Sequence, residues 1–259
     1  MSDHHVLVFG DDASDAADVA WLWINSHRWT DWNLDVLTAH RPEQFKVRPE
    51  EERQAHEWHP EHPRLPFAET GFHETHQLLA ETDPRFALSV EADLVVIGPR
   101  GRGLMKKLHL GSTAEYLMQR PAAPLAIVRK GHAVRSIVLC ADGSPHAELV
   151  TATLAGFPWI SGVEISVLAV QDDRVDAQTS VDAAARTLVA AGALATTAVI
   201  DGLPTPTILD HIDEQAPDLV ALGTQGLTGL SRFRLGSTAS AITRAVECSV
   251  LLACTPVTD

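Results

Sequence analysis

Asp93-Leu94-Val95-Val96-Ile97-Gly98-Pro99-Arg100-Gly101, followed after nine residues by Gly111-Ser112-Thr113, occurs twice in this 259-residue chain. The second copy reads Asp218-Leu219-Val220-Ala221-Leu222-Gly223-Thr224-Gln225-Gly226 and, after the same nine, Gly236-Ser237-Thr238. Each copy continues into a helical pattern and ends in a short apolar run, at residues 124–128 and 249–252. One glycine-rich loop is common; two with identical internal spacing mark a duplicated unit.

The residue types point to a phosphate. An apolar run of four ended by glycine predicts a buried strand at 94–97, with Gly98 turning at φ > 0 and letting the backbone approach a ligand. Gly111-Ser112-Thr113 predicts a helix start, where the first N–H groups lack intrahelical partners and the macrodipole is positive. Ser112 and Thr113 add hydroxyls. Ser112 with Glu115 also reads as a capping box, the bland alternative in which the glycines only turn the chain. Duplication favours the phosphate. No Gly-Lys-Ser/Thr is present, and residues 98–103 have the wrong spacing and place for a dinucleotide fingerprint. The first strand of each unit ends instead in acid, at Gly10-Asp11-Asp12 and Ala141-Asp142-Gly143-Ser144.

These motifs, G-x-x-G, nine residues, G-S/T, with an upstream strand ending in Asp-Gly-Ser, resemble those of the universal stress proteins. The stretches 98–104 and 108–115 are similar to tandem members from actinobacteria. The resemblance covers nearly the whole chain and implies two tandem domains, 1–131 and 132–259, related by pseudo-two-fold symmetry. It implies ATP, or AMP or ADP, as the ligand. The site residues would be Gly98, Gly101, Gly111, Ser112 and Thr113 in the first domain, and Gly223, Gly226, Gly236, Ser237 and Thr238 in the second. These would hold the phosphates. Asp11 and Asp142 would address the ribose–adenine side, and the backbone of Ala39 and Val170 the adenine. The second domain matches better at the aspartate; in the first, Asp12 stands where glycine is expected.

Composition limits the alternatives. The net charge of −14 disfavours nucleic acid and anionic membranes as partners. It also makes the basic cluster Arg100, Arg102, Lys106, Lys107 and His109 in the first glycine loop informative; Arg232 and Arg234 are its sparser counterpart. No run approaches the ~18 apolar residues of a membrane span. With no signal-peptide pattern at the N-terminus, the expectation is cytoplasmic. Cys140, Cys248 and Cys254 read as small core residues, not disulfides.

In chain order, residues 5–10 read as a strand, 15–25 as an amphipathic helix and 34–39 as a strand. Trp21, Trp23, Trp29 and Trp32 read as packing or interface residues. Residues 41–92 are broken by prolines, and this domain is expected to be shortened before 93, without a full helix. His56, His59 and His62 have metal-like spacing, with His73 and His76 following. Pro60 and Pro63 deny them a helix, so a surface loop is the better reading. The second domain predicts strands at 137–141, 164–170 and 196–200, and helices at 147–154, 182–191 and 207–215. Both domains therefore read as doubly wound parallel α/β sheets with the ligand at the carboxyl ends of the strands. The loops are expected to converge on one edge.

No catalytic constellation is legible near the loops, and the signatures of related adenylating enzymes are absent. Slow hydrolysis needs only ATP, Mg²⁺ and a carboxylate together. Three readings stay open: a nucleotide-binding regulatory module, favoured; a slow ATPase; and a structural dimerisation module with degenerate sites. The final strand of each domain would be an exposed edge, and pairing the two would cover both. That predicts one compact particle, with a further homodimer compatible.

Overall fold

The computed structural model describes residues 4–39, 64–80, 83–101, 110–171, 176–226 and 235–253. The first half contains β1 (His5–Gly10), α1 (Asp15–Asn25), β2 (Trp32–Ala39), β3 (Thr75–Ala80), α2 (Pro84–Ala87), β4 (Leu94–Ile97), α3 (Ser112–Gln119) and β5 (Leu125–Ile127). The second contains β6 (Ser136–Cys140), α4 (Pro145–Ala155), β7 (Glu164–Gln171), α5 (Ala177–Ala190), β8 (Leu194–Asp201), α6 (Pro204–Gln215), β9 (Leu219–Gly223), α7 (Ser237–Ala245) and β10 (Ser249–Ala253).

Local chemistry sets these boundaries. Ser14 and Ser144 cap α1 and α4, each accepting a hydrogen bond from the backbone N–H three residues on, at 3.2 Å. Pro145 and Pro204 occupy first-turn positions, where a missing N–H costs nothing. The shortening expected in the first half is seen: α2 is a single turn of four residues where α6 has twelve. β3 was not anticipated. Its residues are exposed along most of both faces, so no apolar alternation announces it. The cluster His56, His59 and His62 lies outside the described residues. His73 stacks on His4 and His76 meets Glu74, and the described residues hold no group of three metal-ligating side chains.

The ten strands form one sheet in the order β3-β2-β1-β4-β5-β10-β9-β6-β7-β8. Each half repeats one order, with the switch point between β1 and β4, and between β6 and β9. Every pairing is parallel except the central one. There β5 and β10 run antiparallel, Ile127 opposite Val250, Ala126 opposite Leu251 and Leu125 opposite Leu252. The two final strands cover each other's edges, as expected. The same antiparallel joint corrects another expectation. It turns the second half end over end, so the carboxyl strand ends of the two halves lie on opposite edges of the sheet, not on one.

Alternation divides the core between the two sheet faces. Leu7, Phe9, Ile137 and Leu139 pack on the face covered by α1, α4 and α5, while Val8 and Val138 pack opposite, under α3, α6 and α7. Both clusters contain residues from both halves. The tryptophans act as packing at the joint: Trp23, Trp29 and Trp32 meet Phe157 and Trp159 of the second half at ring distances of 5.9–6.1 Å. His27 lies among them, 4.3 Å from Trp159. Its Nδ1–H donates to Trp23 O (2.7 Å), and its Nε2 accepts from the Val134 N–H (3.0 Å). Arg244 of α7 forks onto Glu115 of α3 at 2.7 and 3.1 Å. Cys140 and Cys248 are free thiols, and burial pushes Cys140 up to about 12.

Candidate functional site

Each half builds the same cradle at its switch point. β1 and β6 end in a tight turn that places one residue in the left-handed region, Ala13 at φ 53° and Gly143 at φ 74°. The turn is closed by an aspartate: Asp12 Oδ1 accepts from Ser14 N–H at 3.1 Å, and Asp142 Oδ1 from Ser144 N–H at 3.0 Å. The capping serines also donate to the glycine loops, Ser14 Oγ to Arg100 O at 3.4 Å and Ser144 Oγ to Gln225 O at 3.2 Å.

This geometry corrects the register read from the sequence. Asp11 N–H donates to Leu37 O as Ala141 N–H donates to Leu168 O, so Asp11 corresponds to Ala141 and Asp12 to Asp142. The first half carries Ala13, not Asp12, at the glycine position. Asp11 is buried and otherwise engaged: Arg64 Nε donates to it at 2.6 Å, and Arg64 Nη2 reaches Asp18 at 2.6 Å. The Arg64 guanidinium lies 5.9 Å from the Phe9 ring and 5.8 Å from that of Trp21. That ion pair pins the segment before β3 onto α1. Two adjacent aspartates hide the one-residue shift in the sequence; the Asp-x-Ser spacing shared with Asp142-Gly143-Ser144 was the signal that could have revealed it.

The loop glycines are required for close approach, and none has the positive φ expected of Gly98. A Cβ on Gly98 would stand 2.7 Å from the backbone of Ala16, and one on Gly223 2.8 Å from that of His146. These residues let α1 and α4 seat against β4 and β9. A Cβ on Gly101 would collide with Asp12 Oδ2, and one on Gly226 would lie 2.7 Å from Asp142 Oδ2. The aspartate and the second loop glycine are therefore in contact in both halves. Gly111 N–H then closes the loop on Pro99 O at 2.8 Å, and Gly236 N–H on Thr224 O at 2.7 Å.

Gly111 and Gly236 are themselves the N-caps of α3 and α7, and no side-chain hydrogen bond caps either helix. The expected capping box is absent. Ser112 sits one residue inside the helix, and Glu115 turns to Arg244. Ser112 and Ser237 are exposed and Thr113 and Thr238 half-buried, all in first turns whose N–H groups no described side chain occupies. An anion fits such a terminus on both charge and hydrogen bonding. Ala39 and Val170 lie at the same carboxyl edge, at matching positions near the ends of β2 and β7. Each cradle thus collects its aspartate, three glycines and two hydroxyls. Arg102, Lys106, Lys107, His109, Arg232 and Arg234 lie outside the described residues.

Comparison with known proteins decides the family. The family model described as the universal stress protein family matches residues 5–129 and again 133–253. The chain belongs to the universal stress protein family. A universal stress protein of Mycobacterium tuberculosis strain H37Rv is 29% identical over 188 residues, 64% of this chain and 63% of the relative. A Mycobacterium bovis universal stress protein matches to the same extent. The chain therefore spans under two thirds of the length of these curated relatives. Among solved structures, a universal stress protein from Archaeoglobus fulgidus superposes with TM-score 0.69 at 17% identity, covering 97% of this chain and 98% of its own. A putative universal stress protein from Pseudomonas aeruginosa gives 0.58 at 16% identity, covering 97% and 94%. These likenesses bear on the fold, a tandem universal stress protein α/β sheet. No helix among the described residues is long and apolar enough to cross a membrane.

Proposed function

We propose that this universal stress protein binds an adenine nucleotide, ATP foremost, in each of its two cradles, and acts as a regulatory binding module in the cytoplasm. The observation that carries the reading is the duplicated arrangement in which an aspartate rests on a loop glycine beside a helix N-terminus without a side-chain cap. In the first half Gly101, Gly111, Ser112 and Thr113 would hold phosphate, with Asp12 taking the role the sequence suggested for Asp11. Gly226, Gly236, Ser237 and Thr238 would do so in the second, with Asp142 addressing the ribose–adenine side. Ala39 and Val170 would offer backbone groups to the base. The loops bring anion-binding groups together, and the best use of such groups is to hold a nucleotide, with Mg²⁺ as its companion ion. Mass spectrometry of small molecules released on denaturing the purified protein tests this reading. Co-purified adenine nucleotide, or a rise in melting temperature with added ATP, is expected. A protein that yields no nucleotide and whose melting is indifferent to millimolar ATP would refute it.

A further inference from the structure

The two cradles differ at one contact. In the second half, His146 on the first turn of α4 has its Nδ1 2.9 Å from the hydroxyl of Thr224, the first residue after Gly223. Thr224 is buried, and the loop hangs on it. Its N–H donates to Ala253 O at 3.0 Å, and its carbonyl accepts the Gly236 N–H at the start of α7. The corresponding pair in the first half is Ala16 and Pro99, placed by the same contact of the loop glycine on α1. Neither side chain can form a hydrogen bond, and Pro99 has no N–H to donate. A chain of bonds therefore runs from His146 through Thr224 to Gly236 in one half only.

We infer that His146 is a positioning residue of the second nucleotide cradle, fixing Thr224 and through it the Gly236 terminus, so that the two cradles are functionally unequal. This rests on the nucleotide reading above. His146 is half-buried, and its pKa lies below the ordinary histidine value because burial disfavours the cation; the Asp142 carboxylate on the adjoining turn opposes that effect. Beyond β9, the Thr224 hydroxyl faces it at 2.9 Å. An anionic ligand at the Gly236 terminus favours the imidazolium, so nucleotide affinity at this cradle gains on acidification, whereas the first cradle has no titrating side chain at this position.

The test uses the full chain with Gly111→Val, which leaves the second cradle to bind. ATP affinity is measured by calorimetry for this protein and for versions also carrying H146A or H146N. Asparagine places a hydrogen-bonding group near Nδ1 but does not titrate. The H146A version should bind about tenfold more weakly, the effect of one lost positioning bond, and H146N should recover most of the loss. As pH falls below the ordinary histidine value of about 6.5, the histidine protein should gain affinity relative to H146N. In the absence of ligand, H146A should speed hydrogen exchange of the Gly236 amide. Equal affinities with unchanged Gly236 exchange would overturn the inference. If no version binds ATP the nucleotide reading fails, and Gly236 exchange decides: faster exchange in H146A supports the positioning role, unchanged exchange removes it.

Discussion

At the residue scale, the glycines of the repeated motif have separate tasks, and substitution should tell them apart. Gly98 and Gly223 face helix backbone that cannot yield, so Gly223→Ala should destabilise the protein by about 1–3 kcal/mol, as overpacking does. Gly111 and Gly236 have ordinary negative φ, and a Cβ there would meet the backbone of the glycine loop at 3.3 Å, so valine should push the loop away from the helix N-terminus and spoil the cradle while the fold is kept. Urea denaturation separates the two classes: a larger midpoint shift for Gly223→Ala, and a smaller one, about 1 kcal/mol, for the valine variants, which lose a favourable N-cap. Gly143, at φ 74°, has a third task, and Gly143→Ala should cost about 1 kcal/mol. Its counterpart Ala13 already carries that strain. The sequence made the loop glycines legible by spacing, but it could not divide these duties, which depend on what lies across from each Cβ.

Among elements, the joint between α1 and the connection into β6 depends on one neutral histidine. Burial draws the pKa of His27 down to about 4, opposed by its bond to the Trp23 carbonyl. Both ring nitrogens are committed, one as donor and one as acceptor, so a second proton would set a donor against the Val134 N–H. The unfolded chain takes up that proton near the ordinary value of about 6.5. His27 therefore costs the fold nothing above that pH, and between about 6.5 and 4 the native state loses on the order of 3 kcal/mol relative to the unfolded one. Stability measured across this range should fall more steeply in the wild type than in His27→Gln. Parallel curves would show that the imidazole is not the titrating group. The helix α1 and the strands with continuous apolar runs were legible, since periodicity and burial agree there. β3 was not, because an edge strand exposed on both faces has no period to read, and the Asp11–Asp12 shift was masked by having two carboxylates side by side.

For the whole molecule, the antiparallel joint makes one sheet from two units. A sequence repeat predicts two similar folds, and the exposed final strands predicted their pairing; that the joint sends the two cradles to opposite edges follows only from its direction. Two core layers, each drawing on both halves, together with the Glu115–Arg244 fork and the tryptophan cluster, should make unfolding cooperative. Heating or urea should give a single transition by tryptophan fluorescence and by circular dichroism, with coincident midpoints. Two separated transitions would mean the halves stand alone. Pairing across the joint leaves both cradles open at opposite ends, so one chain should take up two nucleotides without contact between them. Calorimetric titration of ATP into the full chain measures this directly. Saturable heat is expected with Kd in the micromolar range, about −8 kcal/mol per site. Two sites should fall to one with either Gly111→Val or Gly236→Val and to none with both. Absence of heat at millimolar ATP, or undiminished binding in the folded double variant, would contradict the assignment of the cradles as nucleotide sites.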